Sequence, residues 1–273
     1  PISLDLAQVR RPDQPRPDRS EPGWIESMPA GHIPGSTAFL LDGETRYLYT
    51  GDLSVRDRFG LSGFDPVDAD VLLIESTYGR PAYRFPEQSA VEREIVDWLE
   101  ETSDSPVLLM GYALGRAQAL LRLADRAERS RIFVTPAIES LNRPIEAATG
   151  VEFRATRFDD DVALGPGDAL VLPSQTNSLG FVERLREDTA AVKAGFSGWA
   201  VDDSYRFARD LDVAFPLSDH CDFEELLEVV RAVDPERVYT VHGFVDDLAT
   251  AIRSRLGIEA TALKPNQSTL GDF

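Results

Sequence analysis

The sequence predicts an α/β fold, because short apolar runs alternate with segments of helical periodicity along most of the chain. Continuous runs such as DVLLI (70–74) and PVLLMG (106–111) are typical of strands that are buried on both faces. Between such runs, segments such as GRAQALLRLAD (115–125) place their apolar residues at helical spacing. The 273 residues are enough to bury one large core or two smaller ones.

The N-terminal part of the chain is predicted to hold little regular structure before a hairpin. The first 27 residues are rich in proline, arginine and aspartate, which is typical of a connecting segment on the surface. Ordered structure is expected from Ser36 onward, because STAFLL (36–41) and RYLYT (46–50) are rich in β-forming residues. Asp42-Gly43 between these two runs is a strong hairpin signal.

In the rest of the chain, helix-start signals alternate with further strands. Ser89 with Glu92 predicts a capping box at one helix start, and Asp222 with Glu225 predicts another, in a helix that Pro235 ends. The other predicted strands are RIFVT (131–135), ALVLP (169–173), AAVKAGF (190–196), the run VAFPLSD (213–219) before His220, and RVYTV (237–241). The other predicted helices lie near 139–149, near 177–187 and around Leu248–Leu256.

The chain is strongly acidic. Its net charge is −19, and nearly all of its positive charge is arginine, since lysine occurs only at Lys193 and Lys264. Dispersed acidic residues with few lysines are expected of a halophilic, archaeal-like protein that stays soluble at very high salt, where charge repulsion is screened. An ordinary acidic cytosolic protein is the alternative. Acidity argues against a nucleic-acid partner but does not exclude one.

The cysteine count and the hydropathy indicate the compartment. A single cysteine, Cys221, excludes an internal disulfide framework and fits a reducing cytoplasm. No apolar run approaches the length of a membrane span, and no signal peptide of the usual form is recognisable. We therefore expect a cytoplasmic protein without a membrane partner. Because the chain begins with proline, we also expect upstream sequence.

Several polar residues lie just past the carboxyl ends of predicted strands. These residues are Asp52, Glu75, His220 and His242. In open α/β sheets the ligand crevice lies outside those strand ends, so the four side chains are candidates to converge. The third histidine, His32, lies in a glycine-flanked loop before the first predicted strand. Taken singly, each has a structural alternative, such as a hydrogen-bonded surface histidine, a turn aspartate or a helix cap.

Imidazole and carboxylate side chains are the ligand types that zinc uses in proteins. A hydrolase needs such a metal to lower the pKa of water to roughly 7 and to neutralise a developing oxyanion. A pair of metals suits phosphodiester hydrolysis in particular. Residue type and placement alone therefore indicate a metallohydrolase.

The motifs AGHIPGSTAFLL, YLYTGD, DVLLIESTYG, PLSDHCDF and YTVHGF, in chain order, resemble the signatures of the metallo-β-lactamase (αββα) fold in its β-CASP nuclease branch. The finer segments GYALGRAQALLRL, GFSGWA and LSDHCDFEELLEVV are similar to ligase-associated DNA exonucleases and messenger-RNA 3′-end processing factor-like proteins. The resemblance covers the chain from about residue 24.

The resemblance assigns a role to each strand-end residue. His32 and His242 match zinc-binding histidines, and Asp52 matches the aspartate that bridges two zinc ions. His220 matches a general acid that protonates the leaving oxygen, paired with the acidic residue that Glu75 matches.

The resemblance also divides the chain. It implies an N-terminally incomplete metallo-β-lactamase domain in two parts, 1–86 and 197–273, and an inserted β-CASP cap domain at 87–196 that closes a nucleic-acid groove. Gly115, Arg116 and Ser197 are the candidate nucleic-acid-binding residues. A structural turn followed by a surface arginine is the alternative for Gly115 and Arg116.

One family motif is missing. The H-x-H-x-D-H metal motif that precedes the A-G-H loop in the family does not occur in the sequence. We expect two zinc ions in a complete protein and weak or absent metal binding in this chain. Truncation of an active nuclease is the favoured explanation, and a catalytically silent nucleic-acid-binding or complex-forming homologue is the alternative.

The expected function is metal-dependent hydrolysis of phosphodiester bonds in DNA or RNA. A small-substrate hydrolase of a thioester or lactone is disfavoured, because the insert between Glu75 and His220 is long. A DNA ligase or a helicase is the candidate protein partner. The sequence does not determine whether the substrate is DNA or RNA, whether cleavage is exonucleolytic or endonucleolytic, or what the oligomeric state is.

Overall fold

A computed structural model describes residues 2–16, 22–159 and 161–264, and these residues form two compact units. The first, which we call the histidine unit, comprises the described residues of 22–32, 36–84 and 220–264 and contains all three histidines. The second, which we call the insert unit, comprises those of 2–16, 33–35 and 85–219. The predicted boundaries of the metallo-β-lactamase and cap domains stay predictions.

Twelve strands and eight α-helices occur in the described residues. The strands are β1 (Ile25–Pro29), β2 (Thr37–Leu41), β3 (Tyr47–Tyr49), β4 (Val71–Ser76), β5 (Val107–Gly111), β6 (Ile132–Val134), β7 (Thr156–Arg157), β8 (Ala169–Pro173), β9 (Val192–Phe196), β10 (Val213–Phe215), β11 (Arg237–Gly243) and β12 (Glu259–Ala262). The helices are α1 (Ile2–Arg10), α2 (Gln88–Glu101), α3 (Arg116–Arg126), α4 (Pro136–Thr149), α5 (Gly180–Thr189), α6 (Ser204–Ala208), α7 (Phe223–Val233) and α8 (Val245–Leu256).

The histidine unit is built on a six-stranded sheet of order β1-β2-β3-β4-β11-β12. The first three strands pair antiparallel, and β4 runs parallel to both β3 and β11. Leu72 and Ile74 of β4 are fully buried in a core that also includes apolar residues of α7 and α8. The apolar run therefore forms a central, buried strand, as its composition predicts.

Two local predictions in this unit are confirmed. The β2 and β3 strands form the predicted antiparallel hairpin, with Phe39 opposite Tyr49. Asp222 caps α7: its carboxylate accepts a hydrogen bond from the Glu225 backbone N–H at 2.9 Å, and the Glu225 carboxylate accepts one from the Asp222 N–H at 2.8 Å. This reciprocal pair satisfies two backbone donors that the first turn of a helix leaves unpaired.

The insert unit is built on a second six-stranded sheet, of order β10-β9-β5-β8-β6-β7, in which every neighbouring pair is parallel. Helices α3, α4 and α5 lie between successive strands in the chain, as parallel connections require. The residues of β5 and β8 are buried throughout. The α/β class predicted from the sequence is confirmed in both units.

Two N-terminal predictions are wrong. Residues 2–10 form α1 instead of a connecting segment, because Leu6 is buried with Leu141 and Ile145 of α4 in an apolar cluster. Regular structure does not begin at Ser36, since β1 pairs with β2 from Ile25 onward. The apolar patterns of α1 and β1 are short, and the proline and arginine residues near them favour a prediction of irregular structure. Part of the predicted connecting segment, residues 17–21, lies outside the described residues.

The predicted capping box at Ser89 is also wrong. Helix α2 begins at Gln88 after Glu87, and no side chain caps its start. Ser89 is therefore already helical, whereas an N-cap residue needs an extended backbone. The Glu92 carboxylate instead accepts hydrogen bonds from Gln88 and Arg126. Over the described part of the chain, no helix is long and apolar enough to cross a membrane.

The two helix starts give a matched test. Asp222→Ala should lower the free energy of unfolding by about 1–2 kcal/mol, because it removes an N-cap acceptor. Ser89→Ala should change it by less than about 0.5 kcal/mol, because the exposed Ser89 side chain caps nothing. Urea unfolding followed by circular dichroism measures both values, and equal losses would contradict the assignment of the caps.

Candidate metal centre

The loop that carries His32 is held against the segment that follows β3. The Ser54 N–H donates to the Ala30 carbonyl at 3.0 Å, and Gly31 adopts a φ of +72°. A Cβ at Gly31 would lie 2.1 Å from the Ser54 carbonyl oxygen, so only glycine allows this approach. The two segments are therefore fixed side by side, which brings His32 close to Asp52.

A buried arginine anchors the same loop. Arg58 donates to the carbonyl oxygens of Gly31, at 2.8 Å, and His32, and to the Ser54 hydroxyl. Five N–H donors on a planar group suit this task, because several acceptors can be bound by one side chain. Arg58 could not be predicted from the sequence, since nothing in its local pattern distinguishes it from the nearby Arg56.

Asp52 follows β3 at the strand end that the sequence predicts. Its carboxylate Oδ2 lies 3.8 Å from His32 Nε2, and its side chain is 45% exposed. The neighbouring Gly51 has a φ of +56°, which turns the chain as it leaves the sheet. Asp52 thus presents a carboxylate at the end of the strand, beside an imidazole and open to solvent.

Glu75 and His220 form the most buried pair of this centre. Glu75 is fully buried in β4, and its Oε1 lies 2.7 Å from His220 Nδ1. The backbone N–H groups of Leu53 and Thr77 donate to the same carboxylate at 3.0 and 3.1 Å. Glu75 and His220, which the resemblance assigns as a pair, are therefore in contact.

The surroundings of Glu75 determine its ionisation. Burial raises the pKa of this carboxyl, but the charge of His220 and the hydrogen bonds from His220, Thr77 and Leu53 outweigh burial, so the pKa lies below its ordinary value. The carboxylate is therefore ionised at neutral pH. An ionised Glu75 accepts the Nδ1 proton of His220 and leaves Nε2 for other chemistry.

Three of the predicted residues converge on one point. His32, Asp52 and His220 each offer a ligand atom, and these atoms lie within 4.8 Å of one another. The two imidazole rings are 4.3 Å apart between centroids. Two imidazoles and a carboxylate are a donor set that zinc accepts with an open position. Glu75 behind His220 matches the carboxylate that commonly orients a metal-binding histidine. The residues therefore fit a metal ion.

His242 is not a member of this three-residue group. It is exposed at the end of β11, where the pairing with β4 is irregular, and its φ is +55°. The Ser76 hydroxyl donates to the His242 carbonyl, which fixes the backbone there. Its predicted role as a zinc ligand stays a prediction. Conversely, His220 lies in the ligand group, although the resemblance assigns it to proton transfer.

An aromatic contact that no sequence pattern predicts lies against His220. Tyr78 is buried, and its ring meets the His220 ring edge-on with the centroids 5.9 Å apart. Tyr78 in turn contacts Tyr83, whose ring stacks on Phe244. Tyr78 and Tyr83 are close in the sequence, but His220 and Phe244 come from distant parts of the chain, so no local pattern indicates that the four rings meet.

The predicted nucleic-acid-binding residues lie in the insert unit and are largely engaged with protein atoms. Arg116 is 2% exposed, and its guanidinium donates to Asp219 at 3.0 and 3.3 Å and to the Phe196 carbonyl at 2.7 Å. The surface-arginine alternative is therefore wrong. The Gly115 N–H donates to the Gln118 side chain, and the buried Ser197 hydroxyl accepts from the Trp199 N–H. Their contact with nucleic acid stays a prediction.

Comparisons with known proteins connect the chain to a family of metal-dependent hydrolases. Residues 213–263 match the family described as the Zn-dependent metallo-hydrolase RNA specificity domain, RMMBL. The chain is also 37% identical over 248 residues to a "Probable DNA ligase" of Opitutus terrae, a match that covers 89% of this chain and 24% of that protein. The chain belongs to the metallo-β-lactamase fold, in its β-CASP branch. The matched family segment begins at β10 and ends just beyond β12.

Shorter matches connect this β-CASP chain to ribonucleases. It is 37% identical over 107 residues to an "RNase J-like protein" of Methanocaldococcus jannaschii, which covers 37% of this chain and 25% of that protein. It is 36% identical over 101 residues to "Cleavage and polyadenylation specificity factor subunit 3" of Dictyostelium discoideum, covering 35% of this chain and 13% of that protein. The chain thus spans about a quarter or less of the length of these relatives.

The three-residue group predicts which variants of this chain lose metal. His32→Ala and Asp52→Ala should each weaken zinc binding at least about tenfold, because each removes one ligand of the group. His242→Ala should change the affinity less than about twofold, and Asp65→Ala, at an exposed aspartate outside the group, is the control. Isothermal titration with zinc measures all four. A loss in His242→Ala equal to that in His32→Ala would instead support the ligand role that the resemblance implies.

Proposed function

We propose that this β-CASP chain forms part of a metal-dependent nuclease that hydrolyses phosphodiester bonds. The observation that carries the proposal is the convergence of His32, Asp52 and His220 beside the buried Glu75. Within this group His32 and Asp52 can bind a metal and still leave positions open for water and substrate, while His220 lies beside them for proton transfer. The relatives named for RNase J and for a cleavage factor support nucleic acid as the substrate class.

His32 and Asp52 would hold the metal. The description of the matched family as Zn-dependent supports zinc as that metal. Zinc, when bound, supplies a Lewis acid that lowers the pKa of water to about 7 and offsets negative charge on a phosphate. The contribution of this chain is to fix the two ligands. The Gly31 approach and the Arg58 hydrogen bonds hold the His32 loop in place beside Asp52.

His220 is proposed to act as the general acid. With Nδ1 held by the Glu75 carboxylate, a protonated imidazole presents Nε2–H, which can be given to the departing oxygen when the P–O bond breaks. The buried carboxylate stabilises the imidazolium form that this step requires. The same Nε2 cannot bind a metal while it carries a proton. The geometry therefore allows two exclusive roles for His220, and the resemblance favours proton transfer.

DNA is the substrate that the longest match favours. The match to a "Probable DNA ligase" covers 89% of this chain, which supports action on DNA ends beside a ligase. RNA is the second candidate, because residues 213–263 match an RNA specificity domain and the ribonuclease relatives match about a third of the chain. Helicase partnership, a cytoplasmic location and adaptation to high salt stay predictions from the sequence.

A silent nucleic-acid-binding homologue is the second candidate function. The observation that favours it is that His242, a predicted ligand, lies outside the three-residue group among the described residues. Activity of the full-length gene product on labelled single-stranded DNA and RNA of one sequence separates the candidates. Metal-dependent cleavage of the DNA or of the RNA supports the nuclease, and binding without cleavage supports the silent homologue.

His220→Ala tests the proton-transfer role in the active protein. We expect turnover of an oligonucleotide to fall about 10²–10⁴-fold, because a positioned general acid contributes that much. Hydrolysis of bis(p-nitrophenyl) phosphate should fall far less, because its leaving group departs without protonation. Zinc content should stay unchanged. Loss of zinc together with both activities would show instead that His220 is a ligand.

A further inference from the structure

A cavity of about 190 Å³ lies wholly within the insert unit, at the carboxyl ends of its parallel strands. Met110 and Tyr112 line it at the end of β5, Ser174 follows β8, and Phe196 and Ser197 stand at the end of β9. None of the proposed metal ligands lines this cavity. Its lining therefore shares no residue with the centre described above.

The topology of the sheet explains why a ligand site would form there. Strand β5 is flanked by β8 and β9. From β5 the chain continues to β6, toward one edge of the sheet, and from β9 it continues to β10, at the opposite edge. The direction of winding therefore reverses between β5 and β9. Parallel α/β sheets bind ligands in the crevice outside the carboxyl ends at this reversal point.

Four of the eleven residues that line the cavity are aromatic. Tyr112, Phe196, Trp199 and Tyr205 all contribute to the wall, and Tyr112 is 56% exposed despite its size. Aromatic rings at a ligand site offer flat faces on which planar groups stack. Every nucleobase has such a face, and proteins that bind single strands use aromatic side chains in this way.

The polar groups suit the edge of a base. Asn177 lines the cavity, and its Oδ1 is buried with no hydrogen-bond partner in the described structure, while its Nδ2 donates to the Arg209 carbonyl at 2.6 Å. A buried acceptor without a donor is costly, so a ligand N–H at this point would be favourable. Gln175 and Ser174 add further donors and acceptors to the same wall.

The charge of the lining differs from that of the whole chain. Asp and Glu make up 47 of the 273 residues, yet neither type occurs among the eleven residues that line the cavity. Arg209 is the one charged residue in that lining. In a protein with a net charge of −19, a wall free of carboxylates lowers the repulsion that an anionic chain would meet.

We propose that this cavity binds one nucleobase of a single-stranded nucleic acid by stacking on its aromatic wall and pairing with Asn177. The proposal rests on the proposed nuclease function and adds a subsite to it. The volume is below the roughly 300 Å³ at which sites for drug-sized ligands begin, so it suits one base and not a run of nucleotides.

Tryptophan fluorescence of this chain tests the proposal. The chain has three tryptophans, so Trp24→Phe with Trp98→Phe leaves Trp199 as the sole reporter. Titration with adenosine 5′-monophosphate or uridine 5′-monophosphate should quench it saturably, whereas ribose 5-phosphate and inorganic phosphate should not. Equal responses to ribose 5-phosphate would make the cavity a phosphate site, and no saturable response to any probe would overturn the proposal.

Variants locate the binding within the cavity. Tyr112→Ala and Asn177→Ala should each weaken mononucleotide binding about tenfold, because each removes a stacking face or an acceptor. Tyr47→Ala, at another exposed tyrosine outside the cavity, should leave binding unchanged. Circular dichroism checks that each variant is folded. Unchanged binding in both cavity variants would overturn the proposal.

A kinetic readout separates this inference from the proposed function. In the full-length protein, Tyr112→Ala should raise KM for a single-stranded oligonucleotide about tenfold and leave kcat nearly unchanged, because no proposed catalytic residue lines the cavity. Nucleotide binding by an inactive wild-type protein would refute only the nuclease. An active nuclease whose KM does not respond would refute only the base site.

Discussion

The buried carboxylate of Glu75 is the group on which the histidine unit depends. A carboxylate without solvent costs several kcal/mol unless charge and hydrogen bonds compensate it. Here the compensation comes from three separate segments, through the N–H groups of Leu53 and Thr77 and the imidazole of His220. The strand β4, the segment after β3 and the segment before α7 are thus tied to one pair of oxygen atoms. The Glu75 carboxylate therefore has two roles, because it orients His220 and also connects the three segments to one another.

Rigidity around this contact comes from backbone features. The Cys221 N–H donates to the Leu53 carbonyl at 2.9 Å, directly beside the Glu75 contact, and Asp222 then starts α7 as its cap. His220 therefore lies one residue from an inter-segment hydrogen bond and two from a fixed helix start. Burial raises the pKa of the Cys221 thiol well above its ordinary value, so this neighbouring side chain is a neutral packing group. An imidazole held in this way loses little entropy when it acts.

Most features with a local signal could be predicted from the sequence, although the capping box at Ser89 was wrong, and residues that act through distant contacts could not be predicted. The apolar run of β4, the Asp42-Gly43 hairpin and the Asp222 cap each depend on neighbours within a few positions. Arg58, Tyr78 and the wall that includes Tyr112 and Asn177 acquire their roles from segments far away in the chain. Helix α1 was missed for the same reason, since Leu6 is buried by residues of α4. The strand-end rule selected Asp52, Glu75, His220 and His242 as candidates. The first three lie close together, whereas His242 is outside the three-residue group, and Glu75 and His242 lie within β4 and β11 instead of past their ends.

The sequence separation of Glu75 and His220 has a consequence for the biosynthesis of the protein. The two residues are 145 positions apart, and the whole insert sheet is encoded between them. At a translation rate of about 5–20 residues per second, a ribosome needs about 7 to 30 s to pass from one to the other. During that interval the Glu75 carboxylate has no imidazole to compensate its burial, so β4 cannot reach its final environment. The insert unit can therefore fold first on the nascent chain, and the centre that holds the histidines closes last.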